Sequence, residues 1–151
     1  MKPTAHETPG LKEAGRRMTR QRRLILEVLR ETTSHPDAYW VYEQVRQHLP
    51  NISLGTVYRT LGVFRDLGLV LELPSATGFS RYDGRTDPHH HIHCVRCGRI
   101  ADVELSMGDP ARHAAIPEGF RVLSYEVVWR GICAPCQERD PHKTAKKLER
   151  R

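Results

Sequence analysis

Two Cys-x-x-Cys pairs, Cys94/Cys97 and Cys133/Cys136, constrain this chain more than any other feature. They account for all four cysteines and are separated by 36 residues. Each pair can supply two thiolates at one corner, and four thiolates close a tetrahedron around zinc. Such a site leaves no open position for substrate, so its role is structural. It ties the strand around His93 to the segment from Trp129 to Cys136. The competing reading is that the pairs are redox dithiols or incidental.

The first pair belongs to a dense run, with four histidines and two cysteines in the nine residues His89 to Cys97. Imidazole and thiolate are ligands for late first-row divalent metals. On a strand, residues two apart share a face, so His89 and His91 can grip one ion. With Cys94 and Cys97 engaged elsewhere, its other ligands must come from a distance. Asp83, Asp102 and His35 are the candidates. Nitrogen plus carboxylate oxygen suits Fe(II), Mn(II) or Zn(II). The pattern thus predicts two kinds of metal site, one closed and one joining separate parts of the chain.

The residues before the cluster read as three helices and a hairpin. Thr19 can cap a helix to Arg30, with Ile25, Val28 and Leu29 as its apolar stripe. Asp37 can cap a second through His48, with Val41, Tyr42 and Val45 available for burial. Ser53 can cap a third to about Leu67, burying Val57, Leu61 and Phe64 and turning Thr56, Arg59 and Thr60 outward. Gly68 fits a left-handed cap. Two strand-like pieces follow, Leu69–Leu73 and Phe79–Asp83, around a turn at Ser75-Ala76-Thr77-Gly78. Three helices and a hairpin, in that order, predict a winged helix-turn-helix.

The expected fold class is α+β. Residues 1–84 form a winged-helix DNA-binding domain with a loose arm over 1–15 that ends in a short helix around Leu11 to Arg17. Residues 85–88 form a hinge. Residues 89–151 form a small α/β metal-binding domain, with a basic tail over 137–151. Its strands are expected at His89–Val95, Arg99–Glu104 and Val122–Trp129, with a helix around Pro110 to Ile116.

A net charge of +6 suits a polyanionic partner. In a helix-turn-helix the start of the second helix enters the major groove. There Arg59 can donate two bonds to guanine, and Tyr58 can meet a thymine methyl or a phosphate. Ser53 and Thr56 can bind phosphate at the helix N-terminus. Arg20, within the basic cluster Arg16–Arg23, can reach the DNA backbone. The bland alternative is a solvated basic helix in a protein-interaction module. No apolar run is long enough to span a bilayer and the N-terminus lacks a signal-peptide core, so a cytoplasmic protein is expected.

Ser34-His35-Pro36, Thr56-Val57-Tyr58-Arg59-Thr60-Leu61, Arg81-Tyr82-Asp83, His89-x-His91-x-x-Cys94-x-x-Cys97-Gly98 and Cys133-x-x-Cys136 occur in this order. Together they resemble the ferric uptake regulator (Fur) family over about residues 16–136. The resemblance implies a homodimeric, metal-activated DNA-binding repressor with a winged helix and a C-terminal α/β dimerisation domain. Its partner would be double-stranded operator DNA, palindromic to match the dimer. It implies structural Zn(II) at Cys94, Cys97, Cys133 and Cys136. The regulatory site would comprise His35, Asp83, His89, His91 and Asp102, holding Fe(II) or Mn(II), with Zn(II) as an alternative. Tyr58 and Arg59 match the family's recognition-helix contacts.

Within the family, Asp at 83 and 102 resembles the peroxide-sensing (PerR-like) and manganese-responsive members, where iron sensors tend to carry Glu. In peroxide sensors Fe(II) leads to oxidation of a ligand histidine, corresponding to His35 or His89, and Mn(II) supports repression without it. Zinc sensors often carry cysteine where this chain has Gly84. An additional metal site of many members would need histidines where this chain has Pro88 and Tyr125. His93 replaces the family's usual aliphatic residue. The alternatives are a zinc- or iron-uptake regulator and, from another class, a metal-dependent hydrolase. No nucleophile–base pairing stands out, so a non-enzyme is expected.

Overall fold

The computed structural model describes residues 11, 14–104, 114–123, 125 and 127–139. The chain divides into two compact units, Met1–Asp87 and Pro88–Arg151.

In the first unit, α1 (Arg20–Arg30), α2 (Ala38–Arg46) and α3 (Leu54–Asp66) precede a hairpin of β1 (Leu71–Leu73) and β2 (Arg81–Asp83). Each helix begins at the expected cap. Thr19 Oγ1 accepts from Arg22 N at 3.3 Å, Asp37 Oδ1 from Trp40 N at 2.8 Å and Ser53 Oγ from Thr56 N at 3.1 Å. Each bond satisfies an amide that would otherwise lack a helical partner, and such a cap contributes about 1 kcal/mol. At the end of α3, Gly68 adopts φ 66° and donates to Arg65 O, while Leu69 N donates to Phe64 O at 2.8 Å. This paired closure needs the left-handed conformation that glycine adopts without strain.

The apolar stripes of the helices converge on one core. Ile25, Leu26 and Leu29 of α1, Val41 and Val45 of α2, and Val57, Leu61 and Phe64 of α3 are all buried, with Val70 and Tyr82 from the hairpin region. One expectation fails: Thr60 is buried at 5 % exposure rather than turned outward. It lies three residues after Val57 and four before Phe64, so the helical period puts it on their arc. The hairpin pairs antiparallel, Leu71 with Asp83, Glu72 with Tyr82 and Leu73 with Arg81. The predicted turn closes it, with Gly78 N donating to Ser75 O at 3.1 Å.

In the second unit, β3 (His90–Cys94) runs antiparallel to β4 (Ile100–Val103) and parallel to β5 (Val128–Gly131), in the order β4-β3-β5. A short helix, α4 (Ala134–Glu138), follows. The late strand is shorter than expected, starting at Val128 rather than Val122. Leu123 and Tyr125 are exposed and lie outside the strand, so apolar character alone did not mark a paired strand there. Of the helix expected around Pro110 to Ile116, residues 110–113 lie outside the described residues, and Ala114 to Ile116 are not helical. Of the short helix expected around Leu11 to Arg17, Leu11 is helical, residues 12 and 13 lie outside the described residues, and Ala14 and Gly15 form a turn. The tail from Asp140 onward lies outside the described residues.

Candidate metal centres and nucleic-acid interface

The second unit builds the thiol cluster from two tight turns. Cys94 ends β3, and Gly98 N donates back to Cys94 O at 3.0 Å, with Gly98 at φ 71°. Cys133 caps α4, whose first turn returns Cys136 N to Cys133 O at 3.0 Å. Val95 N donates to Gly131 O at 2.9 Å and Arg96 Nη1 to Cys136 O at 3.0 Å, stitching the turns together. The four Sγ atoms lie within 4.8 Å of one another, and Cys97 Sγ stands 3.6 Å from Cys133 Sγ. A disulfide needs about 2.05 Å. Four thiolates at about 2.3 Å from a tetrahedral zinc stand about 3.8 Å apart. The donor set and its spacing therefore fit zinc.

Backbone amides prepare the cluster for charge. The Cys133 amide, 3.4 Å from Cys94 Sγ, and the Cys97 amide lower the Cys94 pKa to about 6. The neighbouring Cys133 and Cys97 sulfurs push Cys136 up to about 12. Without a cation the sulfurs compete for negative charge, and a dication removes that competition.

The oxygen and nitrogen donors form two groups, one in each unit. In the first unit His35 is buried and adopts φ 50°, the one non-glycine residue with positive φ among the described residues. That conformation is costly, and doubly restricted before Pro36. Tyr82 N donates to Pro36 O at 2.9 Å, fastening the turn to β2. His35 Nε2 then meets Asp83 Oδ2 at 3.3 Å. Asp83 Oδ1 accepts from Arg85 N at 2.8 Å, which orients the carboxylate. Sequence reasoning missed this amide, because a backbone donor leaves no trace in residue type.

In the second unit, strand register sets His91 opposite Asp102. His89 Nε2 and His91 Nε2 approach the same Asp102 Oδ1 at 3.6 and 3.8 Å, with the two rings 4.4 Å apart. Both imidazoles are nearly inaccessible, at 3 % side-chain exposure. Two nitrogens and a carboxylate oxygen converge there at distances beyond direct hydrogen bonding. Each group is too small to fill a metal's coordination sphere alone, and both have the N/O chemistry of Fe(II), Mn(II) or Zn(II). His93 stands opposite Ile100 and Arg130.

The expected DNA-facing residues lie at the start of α3 and along α1. Tyr58 and Arg59 are exposed, and Arg59 Nη2 donates to Thr56 Oγ1 at 3.1 Å. Thr56 also bonds Ser53 Oγ at 2.9 Å, so these three side chains form one polar chain over the helix N-terminus. A cleft of about 500 Å³ separates α3 from the hairpin, lined by Tyr58, Arg65, Glu72, Phe79, Ser80 and Tyr82. Arg20 is exposed at the start of α1 and shares a second cleft, about 230 Å³, with Arg23 and His48.

Three helices with a hairpin wing, a thiol cluster and two N/O donor groups define a winged-helix transcription regulator of the metal-binding kind. The sequence profile of the ferric uptake regulator family matches residues 13–130, and the chain belongs to that family. It is 38 % identical over 133 residues to the peroxide operon regulator of Bacillus subtilis (strain 168), covering 87 % of this chain and 92 % of that one. It is 37 % identical over 130 residues to the peroxide-responsive repressor PerR of Staphylococcus aureus (strain USA300), covering 85 % and 88 %. Among solved structures it resembles a zinc-bound manganese uptake regulator, at 28 % identity and a TM-score of 0.60, covering 83 % and 96 %. These relatives are regulators, and none supports the hydrolase reading. No described helix is long and apolar enough to cross a membrane.

Proposed function

We propose that this protein is a cytoplasmic, metal-dependent repressor that binds operator DNA as a homodimer and responds to peroxide. The carrying observation is the division of the N/O donors: His35 and Asp83 in one unit, His89, His91 and Asp102 in the other. One Fe(II) or Mn(II) ion that drew on both groups would set the orientation of the DNA-binding unit, as a switch requires. Zinc at Cys94, Cys97, Cys133 and Cys136 would serve only to hold β3 against β5 and α4. The protein acts by binding, without turnover.

The second unit itself argues for a partner copy. Ile100 is its buried aliphatic side chain among the described residues, whereas Ile92, Phe120, Leu123, Val128 and Ile132 are exposed. A small unit with so little core needs a metal or a second chain to stay folded. Among the described residues β5 is an edge strand, open to pairing. A two-fold dimer presents two recognition helices, so its operator is palindromic. On each half-site Tyr58 and Arg59 would read bases, while Ser53, Thr56 and Arg20 would contact phosphate.

Aspartate at both 83 and 102 and the two peroxide-responding relatives favour peroxide sensing over control of iron or zinc uptake. His35, Asp83, His89, His91 and Asp102 would hold Fe(II), which would supply the redox chemistry for peroxide to oxidise a ligand imidazole. The imidazole of His35 or His89 then takes one peroxide oxygen at a ring carbon, the other leaving as water. The oxidised ligand would no longer hold the ion, and the DNA would be released.

Fluorescence anisotropy with a labelled palindromic duplex tests the reading. Binding should vanish with chelator and return with Mn(II). Peroxide should release the Fe(II) form and add one oxygen to the peptide carrying His35 or His89, leaving the Mn(II) form intact. Specific binding independent of metal sinks the repressor reading; an unmodified Fe(II) form that stays bound sinks the peroxide reading alone.

A further inference from the structure

Gly84 follows Asp83 at the end of β2, where the backbone runs against the last turn of α1. A Cβ at Gly84 would stand 2.8 Å from Leu29 C and O and 2.9 Å from Arg30 N. Real Cβ atoms do not approach so closely, and the obstructing atoms are helix backbone that cannot swing aside. Leu29 is itself locked in the core at 1 % exposure, so α1 cannot retreat. On the other flank, Tyr82 N–H is fastened to Pro36 O, and the Arg85 amide is bonded to Asp83 Oδ1.

We propose that Gly84 is a positioning residue for metal binding. Its missing side chain lets β2 seat on the last turn of α1, and that seat holds the Asp83 carboxylate against His35. With the backbone of this chain, a larger residue would lift the chain at 84 and carry Asp83 away from its 3.3 Å approach to His35 Nε2. The seat also links the ligand to the end of the helix that begins with Arg20. Backbone and hydrogen-bond supports behind metal ligands commonly tune affinity tenfold or more. The inference rests on the proposed reading that Asp83 is a metal ligand.

Co(II) alone is the probe, titrated by visible absorption into full-length protein that keeps its zinc. Gly84→Ala should raise the Co(II) dissociation constant about tenfold. Gly62→Ala, where an added Cβ meets nothing within 4 Å, should leave it unchanged. In an Asp83→Ala background Gly84→Ala should have no further effect, because Gly84 acts through that carboxylate. A merely structural role would weaken both backgrounds alike, and that result overturns the proposal, as does wild-type affinity in Gly84→Ala. If Asp83→Ala and His91→Ala each bind Co(II) as wild type does, the site reading itself fails. If circular dichroism shows Gly84→Ala unfolded, Arg85→Pro decides. It removes the other backbone restraint on Asp83, and an unchanged Co(II) affinity overturns the positioning argument.

Discussion

Arg59 shows how far a residue's role follows from its place on a helix. It lies on the exposed face of α3, anchored by Thr56 Oγ1, with Tyr58 beside it. A planar guanidinium can hold guanine through two bonds, and an ammonium cannot. Arg59→Lys should therefore cost about 1–3 kcal/mol of discrimination at one base pair. Competition anisotropy should show specific binding falling while binding to random duplex barely changes; equal losses would make Arg59 a phosphate contact. The helical period that exposed Arg59 was legible from the residues, as were the caps Thr19, Asp37 and Ser53. Thr60 departs from the expected outward face, because the buried arc from Val57 to Phe64 is wide enough to include it. Asp83 was legible as a ligand type. Its orientation was not, since the Arg85 amide and the Gly84 seat are backbone effects.

The hairpin wing is held to α3 by charge as well as by the core. Arg65 Nη1 meets Glu72 Oε2 at 2.7 Å, and Arg65 Nη2 meets Asp66 Oδ1 at 2.9 Å. The Ser80 hydroxyl, then Arg65, hold the Glu72 carboxyl below its ordinary range. A depressed carboxylate stabilises the fold above its unfolded pKa, and that contribution disappears as pH falls through the folded value. Lowering the pH from 7 to 3 should therefore depress the melting temperature of the wild type more than that of Glu72→Gln, read by circular dichroism. An identical acid shift in both proteins would show that the pair is too exposed to matter. The wing's turn was readable from Ser75 to Gly78, because turn residues carry their own backbone preference. The start of β5 was not. Between Val122 and Trp129 apolar residues continue, and pairing with β3 begins only at Val128.

Across the molecule, the two N/O donor groups make the proposed switch divisible by mutation. Asp83→Ala and His91→Ala alter different units, yet both should lose Mn(II)-dependent DNA binding by at least about tenfold while retaining their zinc. Anisotropy with and without Mn(II), alongside zinc analysis, measures this; loss from only one variant would confine the regulatory ion to one unit. Residue types and spacings alone determined the helix order, the wing, the thiol set and the metal class each donor set prefers. Those properties follow from local periodicity, capping and ligand chemistry, which act within a few residues. Tertiary structure decided what depends on neighbours distant in sequence. It brought Cys97 Sγ to 3.6 Å from Cys133 Sγ, aligned His91 with Asp102 through strand register, and buried His35 at φ 50° against Asp83. It also seated Gly84 on α1. Close approach of backbone to backbone arises only when separate elements pack, so no residue type announces it beforehand.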